Sequence, residues 1–308
     1  MSLATRRFSW RYHLAFPLQA SLPRTLAYRC ADWQSQLIAR RRAEESAQIK
    51  AQMQQVFPNA TEAELQVWLA DYFCMVEQEA LDTWFLTKSS LPQLSQLSGF
   101  EKVMAAREAG RKVILTSGHY GRFWLAGPAM RRAGFSVGTV TRDRLDANLQ
   151  HLPLGEFHYR RWKLQRLQQA LGGPFLVEGD NLRKFYSALN NNLLTLIFDV
   201  PYVVNHSGRV TVPFLNGTIQ VPAGIYRIAK KTQAVVAPFY MRDQGNGAVV
   251  AEFSELLEPE NYNDEGFMSL LARQLEAQIL ARPGHWWLWA ALPLLRRQYN
   301  YYDTHRSG

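Results

Sequence analysis

The sequence feature that most constrains the fold of this chain is a short apolar run. It ends at a histidine that lies between two glycines. Residues 113–115 are β-branched or aliphatic, as in a strand buried on both faces. Gly118 and Gly121 flank His119 and permit a tight turn, and residues 123–133 follow a helical pattern. A side chain at the carboxyl end of a parallel strand lies where open α/β sheets bind ligands. His119 is therefore our candidate catalytic residue, and a hydrogen-bonded structural histidine is the alternative.

Strand-like and helix-like segments alternate from about residue 112 onward. The predicted strands cover 134–142, 175–177, 193–199, 210–215, 234–241 and 248–256, and the predicted helices cover 158–171, 182–190, 222–232 and 268–281. Such alternation is typical of a mostly parallel sheet that is covered by helices on both faces. We therefore predict an α/β fold with a mostly parallel central sheet flanked by helices, and a helical N-terminal layer.

The first hundred residues carry helix signals. Residues 31–55 form a charge-dense helical pattern, and Thr61 with Glu64 forms a capping box that opens a helix running to about residue 86. A short helix at 99–110 ends at glycine. Because no linker or repeat appears, we predict a single domain. It covers 1–308, with a helical N-terminal region at 1–98, an α/β core at 99–295 and a tail at 296–308.

The formal net charge of +9 favours an acidic partner. Nucleic acid, anionic lipid headgroups and an acidic carrier protein all fit such a charge. The basic residues are scattered and no recognised nucleic-acid-binding module appears, so we expect no nucleic-acid partner. Candidate contacts for a carrier protein are Arg142 and three residues of a basic, aromatic segment, Arg160, Arg161 and Lys163.

The cysteine count and the length of the apolar runs indicate where in the cell we expect the protein. Cys30 and Cys74 are too few and too far apart for a disulfide framework or a zinc site, so we expect a reducing, cytoplasmic location. No uncharged apolar run reaches the ~20 residues of a membrane-spanning helix. Aromatic and arginine residues within 6–33 could instead lie on a bilayer surface. A first helix packed on the protein body is the alternative.

Motifs that signal a cofactor or a metal are missing from the sequence. Thr116-Ser117-Gly118 lacks the leading glycine of a nucleophile elbow, no Gly-x-Gly-x-x-Gly follows a strand, and no phosphate-loop lysine motif occurs. The seven histidines include no metal-ligand pair at helical spacing. We therefore expect no cofactor and no metal.

The segment 118–125 reads Gly-His-Tyr-Gly-Arg-Phe-Trp-Leu. It resembles the Gly-His-Phe-Gly-Asn-Trp-Glu-Leu block of bacterial lipid A biosynthesis acyltransferases, a branch of the lysophospholipid acyltransferase superfamily. Further segments match that family in the same order, among them 140–142, 195–199, 212–215 and 222–224. The resemblance implies an enzyme that moves an acyl group from a thioester donor to a hydroxyl or amine acceptor. The implied donor is acyl carrier protein or acyl-coenzyme A, and the implied location is the cytoplasm or the periphery of the inner membrane.

One position departs from the family's pattern. The resemblance implies an aspartate or glutamate five residues after the histidine, and Trp124 stands there. In such enzymes the carboxylate orients the imidazole, which takes a proton from the acceptor. Candidate replacement acids are Asp199, Asp143 and Glu178, each at or near a predicted strand end. We place Asp199 with His119 as the expected catalytic pair.

Residues in the matching blocks are the expected substrate contacts. They are Gly118, Gly121, Arg122, Trp124, Arg142, Phe214, Pro222 and Gly224. Loss of the motif carboxylate favours an acceptor that is already nucleophilic, such as a primary amine. The alternative is a catalytically inactive scaffold that binds acyl chains or acyl carrier protein. The histidine retained between two glycines favours the enzyme.

Overall fold

The computed structural model describes residues 9–86, 91–141, 154–178, 181–201 and 208–296. Within these ranges a helical N-terminal layer is followed by a mostly parallel sheet with helices on both faces, so the predicted fold class is confirmed. None of the described helices is long and apolar enough to cross a membrane.

The N-terminal layer consists of helices that precede the sheet. They are α1 (Phe16–Ser21), α2 (Arg24–Arg41), α3 (Ala43–Val56) and α4 (Glu62–Phe85), with a π-helical turn at Arg11–Ala15 before α1. The predicted helix at 31–55 is two helices, because Arg42 leaves helical geometry with φ −103° and ψ 47°. The capping box of α4 is confirmed. Thr61 N–H donates to Glu64 Oε2 at 2.7 Å, and Glu64 N–H donates to the Thr61 hydroxyl at 3.3 Å.

The strands of the described chain form one large sheet and one hairpin. They are β1 (Ser95–Ser98), β2 (Val113–Ser117), β3 (Val137–Thr141), β4 (Gly172–Val177), β5 (Leu193–Ile197), β6 (Arg209–Phe214), β7 (Gly217–Pro222), β8 (Val235–Gly245) and β9 (Ala248–Phe253). The large sheet has the order β1-β9-β8-β2-β5-β3-β4, and β6 pairs with β7 alone. Every neighbouring pair in the large sheet is parallel except β8 with β9. The strand that leads to His119 therefore lies at the centre.

Helices cover both faces of this sheet. They are α5 (Leu91–Leu94), α6 (Glu101–Glu108), α7 (Ala126–Arg132), α8 (Leu154–Leu171), α9 (Leu182–Asn191), α10 (Gly224–Thr232), α11 (Asp264–Ala281) and α12 (Leu292–Arg296). A short 3-10 turn, Phe123–Leu125, precedes α7. Val113 and Leu115 of β2 pack into one apolar cluster and Ile114 packs into another. Successive side chains of a strand point to opposite faces, so β2 is buried on both sides.

Two strands were not predicted from the sequence. The first, β1, lies within the segment 1–98 that we expected to be helical. The second, β7, returns from β6 through Leu215 and Asn216, which both have positive φ angles of 43° and 40°. A two-residue hairpin turn of this hand requires positive φ at both central residues. The division of the chain into a single domain with these segments stays a prediction.

Candidate active site

His119 and Asp199 follow two neighbouring parallel strands. Ser117 at the end of β2 pairs with Ile197 at the end of β5, so the chain leaves both strands at the same edge of the sheet. His119 and Asp199 each lie two residues further along the chain. The register of the sheet therefore places them side by side, at the edge where α/β folds bind ligands.

Asp199 accepts hydrogen bonds from three N–H groups. Its Oδ1 lies 2.7 Å from His119 Nδ1 and 2.9 Å from the His119 backbone N, and its Oδ2 lies 3.0 Å from Trp286 Nε1. The carboxylate is fully buried, whereas 28% of the His119 side chain is exposed. Because a carboxylate only accepts, Nδ1 carries the hydrogen and Nε2 on the opposite edge of the ring keeps its lone pair.

The three candidate acids differ in their position relative to His119. Asp199 is hydrogen-bonded to the imidazole. Glu178 lines a cavity near His119, and Asp143 lies outside the described residues. Among the candidates that the structure describes, Asp199 is thus the carboxylate that is hydrogen-bonded to His119.

Gly118 and Gly121 shape the turn around His119. A Cβ atom on Gly118 would lie 3.0 Å from Asp199 Oδ2 and 2.5 Å from the side chain of Leu275. Gly121 has a φ angle of +60°, and its N–H donates to the His285 carbonyl at 2.8 Å. Both glycines thus shape the backbone of the turn, and their expected contact with substrate stays a prediction.

Two adjacent tryptophans hold the same turn from the C-terminal part of the chain. Trp287 N–H donates to the His119 carbonyl at 2.9 Å, and Trp287 Nε1 donates to the Gly121 carbonyl at 2.8 Å. Trp286 is fully buried and donates to Asp199. Sequence reasoning assigned no role to these residues. The available signal was three tryptophans within four positions, 286–289.

An apolar cavity of about 570 Å³ opens beside His119. Its walls come from the ends of β3 and β5, from α9 and from α10, and most of them are aliphatic or aromatic. Three of the expected substrate contacts, Trp124, Pro222 and Gly224, line this cavity. A site of this size and lining is typical of pockets that bind apolar ligands.

A second cavity of about 530 Å³ also reaches His119, and we call it the polar cavity. It shares five lining residues with the apolar cavity: His119, Phe123, Trp124, Leu164 and Leu288. Its other walls include charged side chains in pairs, Arg42 with Glu45 at 3.2 Å, Arg160 with Glu156 at 2.7 Å, and Lys163 with Glu79. His119 therefore lies where an apolar and a polar cavity meet.

Arg122 does not line either cavity, and its expected contact with substrate stays a prediction. It is buried, and its guanidinium donates to Asp82 Oδ1 at 2.7 Å and to the Gly247 carbonyl at 2.6 Å. Burial raises the pKa of Asp82 to about 6, although the Arg122 charge and the Tyr28 hydroxyl oppose that shift. Arg122 and Asp82 form a buried ion pair. The pair ties the histidine turn to α4 of the helical layer.

Other expected contacts are also placed differently. Phe214 is buried and packs against the indole of Trp286, with ring centroids 5.5 Å apart. Trp286 is the residue that donates to Asp199. Phe214 does not line either of the two cavities. Arg142 lies outside the described residues. Of the expected carrier-protein contacts on α8, Arg160 and Lys163 are the paired charges of the polar cavity, and Arg161 lies over the Phe157 ring at 5.7 Å.

This arrangement has a defined chemical capacity. A histidine whose Nδ1 is held by a buried carboxylate and whose side chain lines a cavity is suited to take a proton from an attacking group and to return it to a leaving group. Within the described ranges, no side chain is hydrogen-bonded to Nε2. The His119 side chain thus lies where the two cavities meet.

Comparison with known proteins shows what the chain is similar to. The family model described as bacterial lipid A biosynthesis acyltransferase matches residues 1–293. No curated protein matches the chain in sequence. Among solved structures, the 1-acyl-sn-glycerophosphate acyltransferase PlsC from Thermotoga maritima is similar at 14% sequence identity. That match covers 83% of this chain and 97% of the other, with a TM-score of 0.34.

Proposed function

Because the chain belongs to the bacterial lipid A biosynthesis acyltransferase family, we propose that this acyltransferase uses His119 as its general base and Asp199 as the carboxylate that orients the base. Membership of the family implies acyl donors of the acyl carrier protein or acyl-coenzyme A kind. The observation that supports the proposal is the 2.7 Å contact between Asp199 Oδ1 and His119 Nδ1, in a histidine whose side chain lines both cavities.

The proposed reaction has two steps: the acceptor attacks the thioester carbonyl, and the resulting adduct then loses the thiol. The hydroxyl or amine of the acceptor donates a hydrogen bond to Nε2 and gives up its proton as it attacks the thioester carbonyl. The imidazolium that forms is stabilised by the Asp199 carboxylate. When the carbon–sulfur bond breaks, Nε2 returns the proton to the leaving thiolate. An ester or amide and a free thiol are the products.

The two cavities divide the substrates between them. The acyl chain of the donor occupies the apolar cavity, since burial of each methylene group there contributes about 0.8 kcal/mol to binding. The acceptor approaches through the polar cavity, whose paired charges offer hydrogen-bond partners to a hydroxyl or an amine. Both reacting groups then meet at His119, which lines both cavities.

A test compares three proteins on the same substrates. Purified wild type, His119→Ala and His158→Ala are incubated with acyl carrier protein or coenzyme A thioesters and with lipid or amine acceptors, and mass spectrometry follows loss of thioester and formation of product. His158 is an exposed histidine on α8 and serves as the matched control. Removal of a positioned general base costs ~10²–10⁴-fold in rate, so only His119→Ala should lose turnover.

The outcomes separate the alternatives. Wild-type turnover in His119→Ala would end the assigned role of the histidine. Binding of acyl donors by the wild type without any turnover would favour the inactive scaffold. Consumption of one thioester class in preference to the other identifies the donor.

The proposal extends to a peripheral membrane contact by the N-terminal helices. Six of the eleven exposed large apolar side chains among the described residues lie within 10–33: Trp10, Leu14, Leu18, Leu22, Leu26 and Trp33. Exposed arginines accompany them, namely Arg29, Arg40 and Arg41, and the Arg41 guanidinium lies 5.5 Å from the Trp10 ring. Apolar side chains mixed with arginines suit the interface of an anionic bilayer.

Vesicle flotation tests this contact. The wild type should float with vesicles that contain phosphatidylglycerol and should float less with pure phosphatidylcholine. Leu14→Gln combined with Leu18→Gln should remove flotation, and Val67→Gln, at an exposed valine on α4, should not. Flotation that is equal for all three proteins would contradict a contact made by this surface.

A further inference from the structure

The two oxygens of the Asp199 carboxylate have different partners. Oδ1 lies 2.7 Å from His119 Nδ1, and Oδ2 lies 3.0 Å from Trp286 Nε1. The His119 backbone N–H is shared between them, with its nitrogen 2.9 Å from Oδ1 and 3.0 Å from Oδ2. Among the described residues, Trp286 is thus the side chain that donates to Oδ2.

Contacts of this kind decide how the carboxylate is oriented. Rotation of an aspartate carboxylate about its last single bond has a broad energy profile, so covalent structure alone does not set its plane. The Asp199 side chain is fully buried, so its oxygens depend on donors from the protein. The plane that turns Oδ1 toward His119 Nδ1 is therefore set by the groups that donate to the two oxygens.

The indole of Trp286 is itself held in place. It is fully buried, and its ring packs against Phe214 with centroids 5.5 Å apart and an angle of 60° between the ring planes. Its backbone forms an antiparallel bridge with Tyr120, the residue after His119. Gly284 packs so closely on α4 that a Cβ atom there would lie 2.6 Å from the Trp68 carbonyl oxygen. Packing on both sides therefore fixes the direction of Trp286 Nε1.

We propose that Trp286 is a positioning residue for His119: its N–H group holds the Asp199 carboxylate in the plane that directs Oδ1 to the imidazole. The inference rests on the proposed function, in which Asp199 orients His119 as the base. Without this donor, Oδ2 keeps only the shared backbone N–H, and the carboxylate can rotate away from Nδ1. Because Trp286 lines neither the apolar nor the polar cavity, the loss should appear in kcat and not in KM.

The experiment compares Trp286→Phe with a matched variant, Trp289→Phe. Trp289 is also fully buried, its Nε1 donates to the Pro283 carbonyl at 2.8 Å, and its ring packs against Trp286 with centroids 5.1 Å apart. Both variants lose one indole hydrogen bond and the same ring volume, but only Trp286→Phe loses a donor to Asp199. A merely structural role would therefore lower kcat and the midpoint of thermal unfolding equally in both.

The expected loss lies below that of removing the carboxylate itself. Outer partners that orient metal ligands typically contribute about 10–100-fold to activity, and by analogy kcat of Trp286→Phe should fall by ~10–100-fold. Its KM should stay within a few-fold of wild type, and Trp289→Phe should keep both constants within a few-fold. Equal losses of kcat in the two variants would overturn the inference.

Two further variants isolate the hydrogen bond. Replacement of Trp286 by benzothienylalanine puts sulfur in place of the N–H group and keeps the shape of the ring. It should show the same loss of kcat, and it covers the case in which Trp286→Phe does not fold. In an Asp199→Ala background no carboxylate is left to orient, so Trp286→Phe should change kcat by less than about twofold. A full-sized loss in that background would contradict action through Asp199.

A spectroscopic readout separates this inference from the proposed function. NMR of isotope-labelled histidine reports the Nδ1–H proton of His119, which the hydrogen bond to Asp199 protects from exchange with water. Exchange of this proton should be faster in Trp286→Phe and unchanged in Trp289→Phe. If His119→Ala stays active while exchange responds in this way, the proposed base fails and the positioning role of Trp286 stands. If exchange is the same in the two tryptophan variants, the positioning role fails by itself.

Discussion

Replacement of Asp199 by asparagine tests the catalytic pair most directly. The carboxylate accepts from His119 Nδ1, from the His119 backbone N–H and from Trp286 Nε1. Asparagine keeps one acceptor oxygen and adds an NH₂ donor. If the oxygen serves the backbone N–H and Trp286, the NH₂ group faces Nδ1. The imidazole must then place its hydrogen on Nε2, where it cannot take a proton from the acceptor.

The expected loss can be estimated from this change of tautomer. In the serine protease triad the same substitution lowers kcat by about 10⁴-fold. Here the backbone bond and the Trp286 bond can survive, so we expect a loss of ~10³–10⁴-fold in kcat, equivalent to about 4–5 kcal/mol in the barrier. KM should change little, because Asp199 is fully buried and does not line a cavity. Stability should fall by about 1–3 kcal/mol, the usual cost of an unsatisfied buried polar group.

The assay is single-turnover transfer from a saturating acyl thioester, with product measured by mass spectrometry. Glu178→Gln is the matched control, because Glu178 is the other described candidate acid and lines the apolar cavity. That variant should stay within a few-fold of wild type. A folded Asp199→Asn enzyme that keeps more than about a tenth of kcat would refute the assignment, since loss of a positioned base is worth at least ~10².

Two further variants address neighbouring features of the site. Trp124→Glu should not create a second catalytic pair, because Asp199 already holds His119 Nδ1. We expect kcat/KM for long-chain donors to fall by roughly tenfold or more, because the new carboxylate brings a charge into the apolar cavity. A gain in hydroxyl acylation at unchanged thermal stability would contradict this expectation. Burial alone would raise the pKa of Asp71, but the nearby His285 side chain and two hydrogen bonds from Arg282 hold it below its usual range. The ionised group therefore contributes stability that is fully present above about pH 4 and is lost as pH falls through the lowered folded-state pKa. The gap in unfolding free energy between wild type and Asp71→Asn, measured by urea titration, should be widest at neutral pH and narrow below about pH 4, and a gap independent of pH would contradict the assigned contacts.

Much of the fold could be predicted because local patterns and tertiary structure agree. The apolar run at 113–115 lies in a strand buried on both faces, and the capping box at Thr61 begins α4 one residue later. Such signals act within a few residues, so the sequence contains them in full. The class of fold and the order of its central elements followed from them.

The missed strands lack such local signals. The edge strand β1 reads Ser-Gln-Leu-Ser, and only its pairing with β9 makes it a strand. The return strand β7 follows a turn at Leu215, a residue type that rarely adopts positive φ. The Leu215 N–H donates to Glu276 Oε1 of α11 at 2.9 Å, so a tertiary contact helps to hold this turn. Contacts with segments that are distant in the sequence therefore make both segments strands.

The same distinction between local and tertiary signals explains why two of the expected substrate contacts do not line either cavity. Arg122 and Phe214 were expected to contact substrate because they stand in blocks that match the family. Whether a side chain in such a block faces a cavity or the core depends on distant partners. Asp82 of α4 draws Arg122 toward the helical layer, and Trp286 covers Phe214. Both residues act on the site through the backbone turn and through Trp286.

The position of the carboxylate follows from sheet topology and from no local pattern. In the sequence, Asp199 is 80 residues away from His119 and was one of three candidate acids. The choice among them depends on β5 being the parallel neighbour of β2, in the register that pairs Ser117 with Ile197. A shift of that register by one residue would turn the side chain at position 199 to the opposite face. The residues that fix the register, buried on both faces of the central strands, therefore determine whether Asp199 can contact His119. Since the acid comes from a strand end, the helix that follows His119 does not have to supply it, and position 124 can hold an indole.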